Sequence, residues 1–201
     1  MSEFINTVDT LGDDAMCDGI IMKTLTEYAD SYVKSIGDYA LYSCTKLTSV
    51  DFPNVTSVGS FAFNGCSALT TVNLPLVEEM GTYAFYSNRA LESIHIPLVR
   101  ELGKSTFYGC TKLGSIDLSA ATSIDTKAFY NCSVLETVIL RSETMCEMLD
   151  TNVFDNTPIS DGTGYIYVPS AIVETYRSGT NWSVYADQIR AIEDYPDITG
   201  G

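Results

Sequence analysis

The stretch that decides the fold is VGSFAFNGCSALTTVNLP, residues 58–75, because its pattern returns 22 residues later as MGTYAFYSNRALESIHIP, residues 80–97. The same phrase occurs five times in phase. Its copies open at Ile36, Val58, Met80, Leu102 and Ile124. A fixed period of this length is typical of repeat proteins in which no single unit buries its own apolar side chains, so the units must stack.

Each copy presents its residues in the same order of slots. An aliphatic opener and usually Gly are followed by Ala-Phe, a Cys slot, a Leu slot and an alternating V-x-L-P segment. The alternation in Val50-Asp51-Phe52 is the period-2 pattern of a short strand with one buried face. A unit of 22 residues falls in the range of leucine-rich repeats. The sequence therefore predicts a leucine-rich repeat solenoid, built from coils with short parallel strands stacked about 4.8 Å apart.

In such strands Val50 and Phe52 point inward, and two outward columns run across one parallel sheet. The first column is Ser49, Thr71, Ser93, Ser115 and Thr137, and the second is Asp51, Asn73, His95, Asp117 and Ile139. Because a repeat frame leaves specificity to exposed side chains, we predict ligand contacts at Asp51, Asn73, His95 and Asp117.

A second candidate surface follows the Phe slot. Its residues are Tyr42, Asn64, Tyr86, Tyr108 and Tyr130. Tyr is favoured at recognition surfaces because it combines a rigid ring with a hydroxyl, so Tyr42, Tyr86, Tyr108 and Tyr130 are further candidate ligand contacts. The alternative is that each ring packs on the next coil and only stabilises the turn.

The Cys slot contains Cys44, Cys66, Asn88, Cys110 and Cys132. No C-x-x-C pair offers a scaffold for zinc, and side chains in one column point in parallel directions that suit disulfides poorly. An Asn in the series fits a buried hydrogen-bonding position, where a thiol or an amide can bond a neighbouring coil's carbonyl. We therefore interpret the column as structural, with Thr157 in the same place in a sixth coil, and predict no metal or cofactor. Cys17 and Cys146 lie outside it.

The net charge of −15 is uneven: residues 1–35 carry seven acids and two bases, 36–145 ten and seven, and 146–201 nine and two. This field disfavours nucleic acid and anionic lipid as partners. No apolar run approaches the length of a membrane span, and the acidic N-terminus lacks the pattern of a secretion signal. We therefore do not expect export by that route, unless a signal has been trimmed away or the protein leaves the cell inside a larger particle; otherwise the expected location is the cytoplasm.

The repeats divide the chain into three parts. Residues 1–35 should form a cap, helical over 5–22, and a degenerate first coil with Leu25, Tyr28 and Val33 inward; residues 36–145 form the five repeats. Residues 146–201 should contain a degenerate sixth coil opened by Leu149, then a cap and a tail. The cap should comprise a helix from Ser170 to Gly179 and a second amphipathic segment over 181–192.

The pattern I-G-x-x-A-F-x-x-C-x-x-L-x-x-V-x-L-P over residues 25–169 resembles the BspA-like class of leucine-rich repeats. The closing YIYVP and NWSVYADQI phrases are similar to the terminal cap of gut bacterial and prophage members. The resemblance implies a curved, right-handed solenoid used for adhesion or protein recognition on cell surfaces or phage particles, and it implies no reaction.

The leading hypothesis is a non-catalytic module that binds a protein or glycan on a host or bacterial surface. An alternative is a structural module of a larger assembly, such as a phage tail. The third hypothesis, a hydrolase, would rest on His95, the only histidine, with Asp117 one coil away. A lone imidazole needs positioned partners before it can catalyse, so this hypothesis is the least favoured.

Overall fold

A computed structural model describes residues 10–11 and 26–198 of the chain. Short strands dominate these residues. The strands are β1 Thr10–Leu11, β2 Glu27–Ala29, β3 Ser35–Ile36, β4 Ser49–Asp51, β5 Ser57–Val58, β6 Thr71–Asn73, β7 Glu79–Met80, β8 Ser93–His95, β9 Glu101–Leu102, β10 Ser115–Asp117, β11 Ser123–Ile124, β12 Thr137–Ile139, β13 Glu147–Met148, β14 Tyr165–Val168 and β15 Ile189–Ala191. The α-helix α1 is Val173–Ser178, and 3-10 turns span Thr151–Phe154, Ser170–Ile172, Trp182–Gln188, Ile192–Asp194 and Pro196–Ile198.

All strand pairs in the described residues are parallel, and most join positions 22 residues apart, as Ser49 pairs with Thr71 and Thr71 with Ser93. The opener strands form one seven-stranded sheet in the order β1-β3-β5-β7-β9-β11-β13. The V-x-L segments form two four-stranded sheets, β2-β4-β6-β8 and β10-β12-β14-β15. The predicted leucine-rich repeat solenoid is confirmed.

The V-x-L segments do not form the single sheet that the sequence predicts, because they separate between β8 and β10. At this separation the inward residue Ile94 is only partly buried, whereas Val72 and Ile116 are 4% and 3% exposed. One local difference is Gly114, which occupies the slot of Thr48 and Thr70. Thr70 donates its hydroxyl to Thr48 O at 2.9 Å, a bond between coils that a glycine cannot make.

The core contains a continuous stack of phenylalanine rings, one from each coil after the coil that opens at Ile36. Phe63, Phe85, Phe107, Phe129 and Phe154 are fully buried, with successive ring centroids 4.8, 5.5, 5.5 and 5.6 Å apart. The stack follows from the period: one Phe slot in every coil places each ring on the next at about the coil spacing.

Near the N-terminus, the helix predicted over residues 5–22 is wrong at Thr10–Leu11, which form strand β1 paired with β3. Pairing there satisfies the backbone groups that β3 would otherwise leave open at the sheet edge. The rest of that segment, and Leu25, lie outside the described residues. Tyr28 and Val33 are buried, which places them inside the first coil as the sequence predicts.

The sixth coil opens one residue earlier than predicted. Met148 pairs with Ile124 and is buried, whereas Leu149 is 49% exposed. Leu149 is apolar and has the opener's usual spacing from Val153, so the sequence pattern favoured it. The extra residues of this coil, however, fall on both sides of β13. Val153 and Phe154 then continue the core as expected.

The C-terminal cap closes the end of the phenylalanine stack. The helical segment from Ser170 ends before Gly179 as predicted, but segment 181–192 continues from a 3-10 turn into strand β15, which pairs with β14. Cys146 anchors the cap: its N–H donates to the Tyr176 hydroxyl at 2.8 Å, and its carbonyl accepts from Trp182 Nε1 at 2.7 Å.

The C-terminal tail covers part of the sheet β10-β12-β14-β15. Ile139, predicted to face solvent, is only 6% exposed, and the outward residue Tyr167 is 4% exposed. The Tyr195 ring lies 5.2 Å from that of Tyr167 in an edge-on contact, and Ile198 lines the same cavity as Ile139. The prediction for Ile139 is therefore wrong, because an apolar outward side chain is covered by the tail.

Candidate functional site

The open outward surface lies on the sheet β2-β4-β6-β8, and we call it the sheet face. It consists of Ser49, Asp51, Thr71, Asn73, Ser93 and His95, all exposed or half-buried. The register places Asp51, Asn73 and His95 beside one another in a single column. Asn73 Nδ2 donates to Asp51 Oδ1 at 2.7 Å, so the two side chains form one fixed polar pair.

Asp117, the fourth candidate contact of this column, lies across the separation on β10. Its Oδ1 accepts from the Ser119 hydroxyl at 2.6 Å, and its Oδ2 accepts from Arg141 Nε at 2.8 Å. Both carboxylate oxygens are thus engaged on their own side of the separation. Among the described residues, no hydrogen bond or ion pair joins His95 to Asp117, so the two do not form a pair aligned to move a proton.

The tyrosine row lies on the turns that follow the Phe slot. Tyr86, Tyr108 and Tyr130 stack with centroid distances of 4.7 and 5.0 Å. Tyr42 is 39% exposed and separated from them by the coil that carries Asn64. The rings therefore pack on one another, as the structural alternative requires, and still retain partly exposed surface.

A second aromatic column, not identified as a candidate from the sequence, bridges this gap. Tyr39, Phe61 and Tyr83 stack at 4.8 and 4.9 Å, and the end rings contact Tyr42 at 5.7 Å and Tyr86 at 5.5 Å. The seven rings form one contacting series, which we call the aromatic edge. Its members are Tyr42, Tyr39, Phe61, Tyr83, Tyr86, Tyr108 and Tyr130.

The residues of the second column adopt an unusual backbone conformation. Tyr39, Phe61 and Tyr83 have φ values of 57°, 58° and 58°, in the left-handed region that side chains seldom enter. Each is held there by a hydrogen bond from its N–H to the next coil, such as Phe61 N to Thr82 O at 3.0 Å. The signal was present in the repeat, since the three aromatics share one slot three residues before the tyrosine row.

The predicted structural column is buried as a unit. Cys44, Cys66, Asn88, Cys110 and Cys132 are at most 2% exposed, and the four cysteines are free thiols. Three thiols donate to the carbonyl of the Phe-slot residue in the preceding coil: Cys66 to Leu41 at 3.1 Å, Cys110 to Phe85 at 3.2 Å, and Cys132 to Phe107 at 3.0 Å. These thiol hydrogen bonds thus join each of the three coils to the coil before it.

The surroundings of these thiols keep them protonated. A hydrogen bond with Cys44, together with burial, raises the pKa of the Cys66 thiol well above its usual value. Burial raises the pKa of Cys110, and it raises the pKa of Cys132 to about 12. Because the thiolate is the reactive form, such thiols suit a frame better than a redox or nucleophilic site.

Asn88 does not make the bond that its neighbours make. Among the described residues, neither its Nδ2 nor its Oδ1 has a hydrogen-bond partner, although the side chain is fully buried. The expectation that the amide would bond a neighbouring carbonyl is therefore wrong. Thr157 is buried in the sixth coil but donates its hydroxyl to Phe154 O of its own coil at 2.6 Å.

The described residues offer little for metal chemistry. Within residues 26–198 no group of three His, Cys, Asp or Glu side chains could hold a metal ion. In the same part of the chain, no helix has the length and apolar character of a membrane span.

Solved structures with the same fold come from bacteria. A leucine-rich cell surface protein from Faecalibacterium prausnitzii is 22% identical with a TM-score of 0.54, and the match covers 90% of this chain and 54% of that one. A leucine-rich repeat protein from Bacteroides ovatus is 24% identical with a TM-score of 0.54, covering 81% and 47%. The chain thus spans about half the length of these proteins. No curated protein matches it.

The repeat also matches a family model. The model describes the BspA type leucine-rich repeat region, and six copies of it match residues 29–161, which is more than half of the chain. The first matched residue lies in strand β2 and the last lies in the sixth coil, so the match covers the coils whose Phe, Cys and opener slots build the core. The chain belongs to the BspA-type leucine-rich repeat family.

Proposed function

We propose that this chain is a non-catalytic recognition module that binds a protein or a glycan through the sheet face and the aromatic edge. The observation that carries the proposal is the contrast between the two sides of β4, β6 and β8. The inward sides repeat one set of apolar residues, whereas Asp51, Asn73 and His95 differ from coil to coil on a common backbone.

This arrangement has the features of a binding surface rather than of a reaction centre. The Asp51–Asn73 pair presents a fixed donor and acceptor pattern, and the carboxylate of Asp117 is engaged by Ser119 and Arg141 rather than by the exposed His95. Fixed polar groups on a rigid sheet bind a partner at low entropic cost, because little must be ordered on binding. The similar protein from Faecalibacterium prausnitzii is a leucine-rich cell surface protein, which supports a role in adhesion.

The test removes the sheet face and leaves the frame unchanged. The triple variant Asp51→Ala, Asn73→Ala, His95→Ala should lose at least about tenfold in affinity for bacterial or epithelial cell surfaces, since it deletes adjacent contacts at the centre of the face. Binding of the fluorescently labelled full chain to whole cells, read by flow cytometry, measures this loss.

A matched control removes three side chains from the seven-stranded opener sheet. The variant Ser57→Ala, Glu79→Ala, Ser123→Ala also deletes one carboxylate and should bind as the native chain does. Equal binding by the folded sheet-face variant and the native chain would exclude the sheet face as the contact surface.

A further inference from the structure

The charge of the chain is divided between its surfaces in an uneven way. The turn segments that carry the aromatic edge are residues 36–46, 58–68, 80–90, 102–112 and 124–134. They contain five bases and two acids, a net charge of +3, whereas the rest of the chain contains six bases and 24 acids, a net charge of −18. The aromatic edge therefore lies on the one positively charged part of a strongly acidic protein.

The bases of these segments remain available to a partner. In the described part of the chain, Lys46, Arg89, Lys104 and Lys112 are exposed and form no ion pair, and Lys127 Nζ lies 5.3 Å from the centre of the Tyr130 ring. Three arginines elsewhere form ion pairs within the chain. Arg100 contacts Glu78, Arg141 contacts Asp117, and Arg177 contacts Glu174.

The aromatic edge is shaped for contact with a protein surface. Its stacked rings cover one another's faces, so a partner meets ring edges rather than open faces on which a sugar ring could lie. The surrounding slots supply Ser, Gly, Asn, Lys and Arg. Tyr with Ser, Gly and Asn is the composition of antibody paratopes, and Tyr and Arg are enriched in protein interfaces generally.

We propose that the aromatic edge docks a protein that presents a cluster of carboxylates. The inference rests on the proposed recognition function and names the chemistry of the partner. The acidic remainder of the surface repels such a protein, so attraction at the edge and repulsion elsewhere together select one orientation.

The first test uses poly-L-glutamate as the acidic polypeptide and biolayer interferometry on the full chain. The native chain should bind at about 0.1 M salt and lose at least about tenfold in affinity near 1 M, where the screening length falls from about 10 Å to about 3 Å. Lys104→Glu and Lys112→Glu should each weaken binding about fivefold, because each reverses a charge at the edge. Tyr108→Ala, which keeps the charge, should weaken it about threefold.

Arg100→Glu provides the matched control. It makes the same charge change four residues from Lys104 and twelve from Lys112 along the chain, at an exposed position just before the opener strand β9, and it should change the affinity less than about twofold. Circular dichroism of each variant verifies that the fold is retained. An equal loss in Arg100→Glu would mean that net charge alone governs binding, and it would overturn the inference.

Other occupants give distinct results. Tighter binding of alginate than of poly-L-glutamate would assign the edge to an acidic glycan. Salt-sensitive self-association in sedimentation that is lost in Lys112→Glu would assign the edge to a second copy of the chain. Either result would overturn the inference. A native chain that binds cells through the sheet face but not poly-L-glutamate would overturn the inference alone. A chain that binds neither would overturn the proposed function as well.

Discussion

Replacing Gly81 with Ala should lower the free energy of unfolding by about 3 kcal/mol, the upper part of the range for overpacked sites. A Cβ at Gly81 would lie 2.5 Å from Ser60 N and 2.6 Å from Gly59 C in the preceding coil. These are backbone atoms held by hydrogen bonds between coils, so they cannot turn aside as a flexible side chain could. For a chain of this size the midpoint of thermal unfolding should fall by about 6–12 °C.

Gly114→Ala is the matched control, since the nearest atom to its Cβ would be Val134 O at an ordinary 3.7 Å. Its effect should stay within about 1 kcal/mol of the native protein, because the added methyl group makes only an ordinary van der Waals contact. Thermal unfolding of both variants by circular dichroism measures the difference. Equal stability of the two would contradict the close approach of coils at the opener Gly slot.

Replacing Phe85 with Ala should have the second large effect, a loss of about 4 kcal/mol in the free energy of unfolding. The ring is fully buried and stacks between Phe63 at 4.8 Å and Phe107 at 5.5 Å. Its removal leaves a cavity in the middle of the stack and deprives two neighbours of a ring contact. In a solenoid each coil is stabilised by its neighbours, so denaturant unfolding should also become less cooperative.

Phe85→Leu is a milder change at the same position. Leu41 occupies this slot in an earlier coil and is fully buried there, so the frame accommodates a leucine. We expect a loss of about 1 kcal/mol, within the range for substitutions that nearly conserve volume. Losses of similar size for Ala and Leu would mean that the side-chain volume in this slot contributes little to stability.

The repeat predicted the fold because its period acts on every coil at once. Val50, Phe63 and Cys110 each belong to a column whose members share one environment, and all three are buried. The ends and the separation could not be predicted in this way. Leu149 has the spacing of an opener residue but is exposed instead of buried. Ile139 is covered by the C-terminal tail, a contact that tertiary packing sets and the repeat does not.

The candidate surfaces were predictable to different degrees. The pleat of β4, β6 and β8 places Asp51, Asn73 and His95 outward, and this follows from alternation alone. The contact of Tyr39 with both Phe61 and Tyr42 depends on a left-handed backbone conformation, which the identity of an aromatic residue does not predict. The break in pairing between β8, which carries His95, and β10, which carries Asp117, was not predictable because the repeat treats every pair of coils as alike.

The repeated slots build the frame, and we propose that recognition belongs to the exposed side chains. This division of roles has a specific consequence for the Cys slot: Cys44, Cys66, Cys110 and Cys132 should be reduced, buried and unreactive in the folded protein. The burial of all four thiols, and the raised thiol pKa of Cys66, Cys110 and Cys132, oppose formation of the thiolate that alkylating reagents require.

Iodoacetamide labelling of the native protein near neutral pH, mapped by peptide mass spectrometry, tests this claim most directly. We predict that all four cysteines stay unlabelled in the folded chain and are labelled completely in guanidinium chloride. Rapid labelling of any of the four in the folded chain, or a disulfide between adjacent coils, would contradict the account.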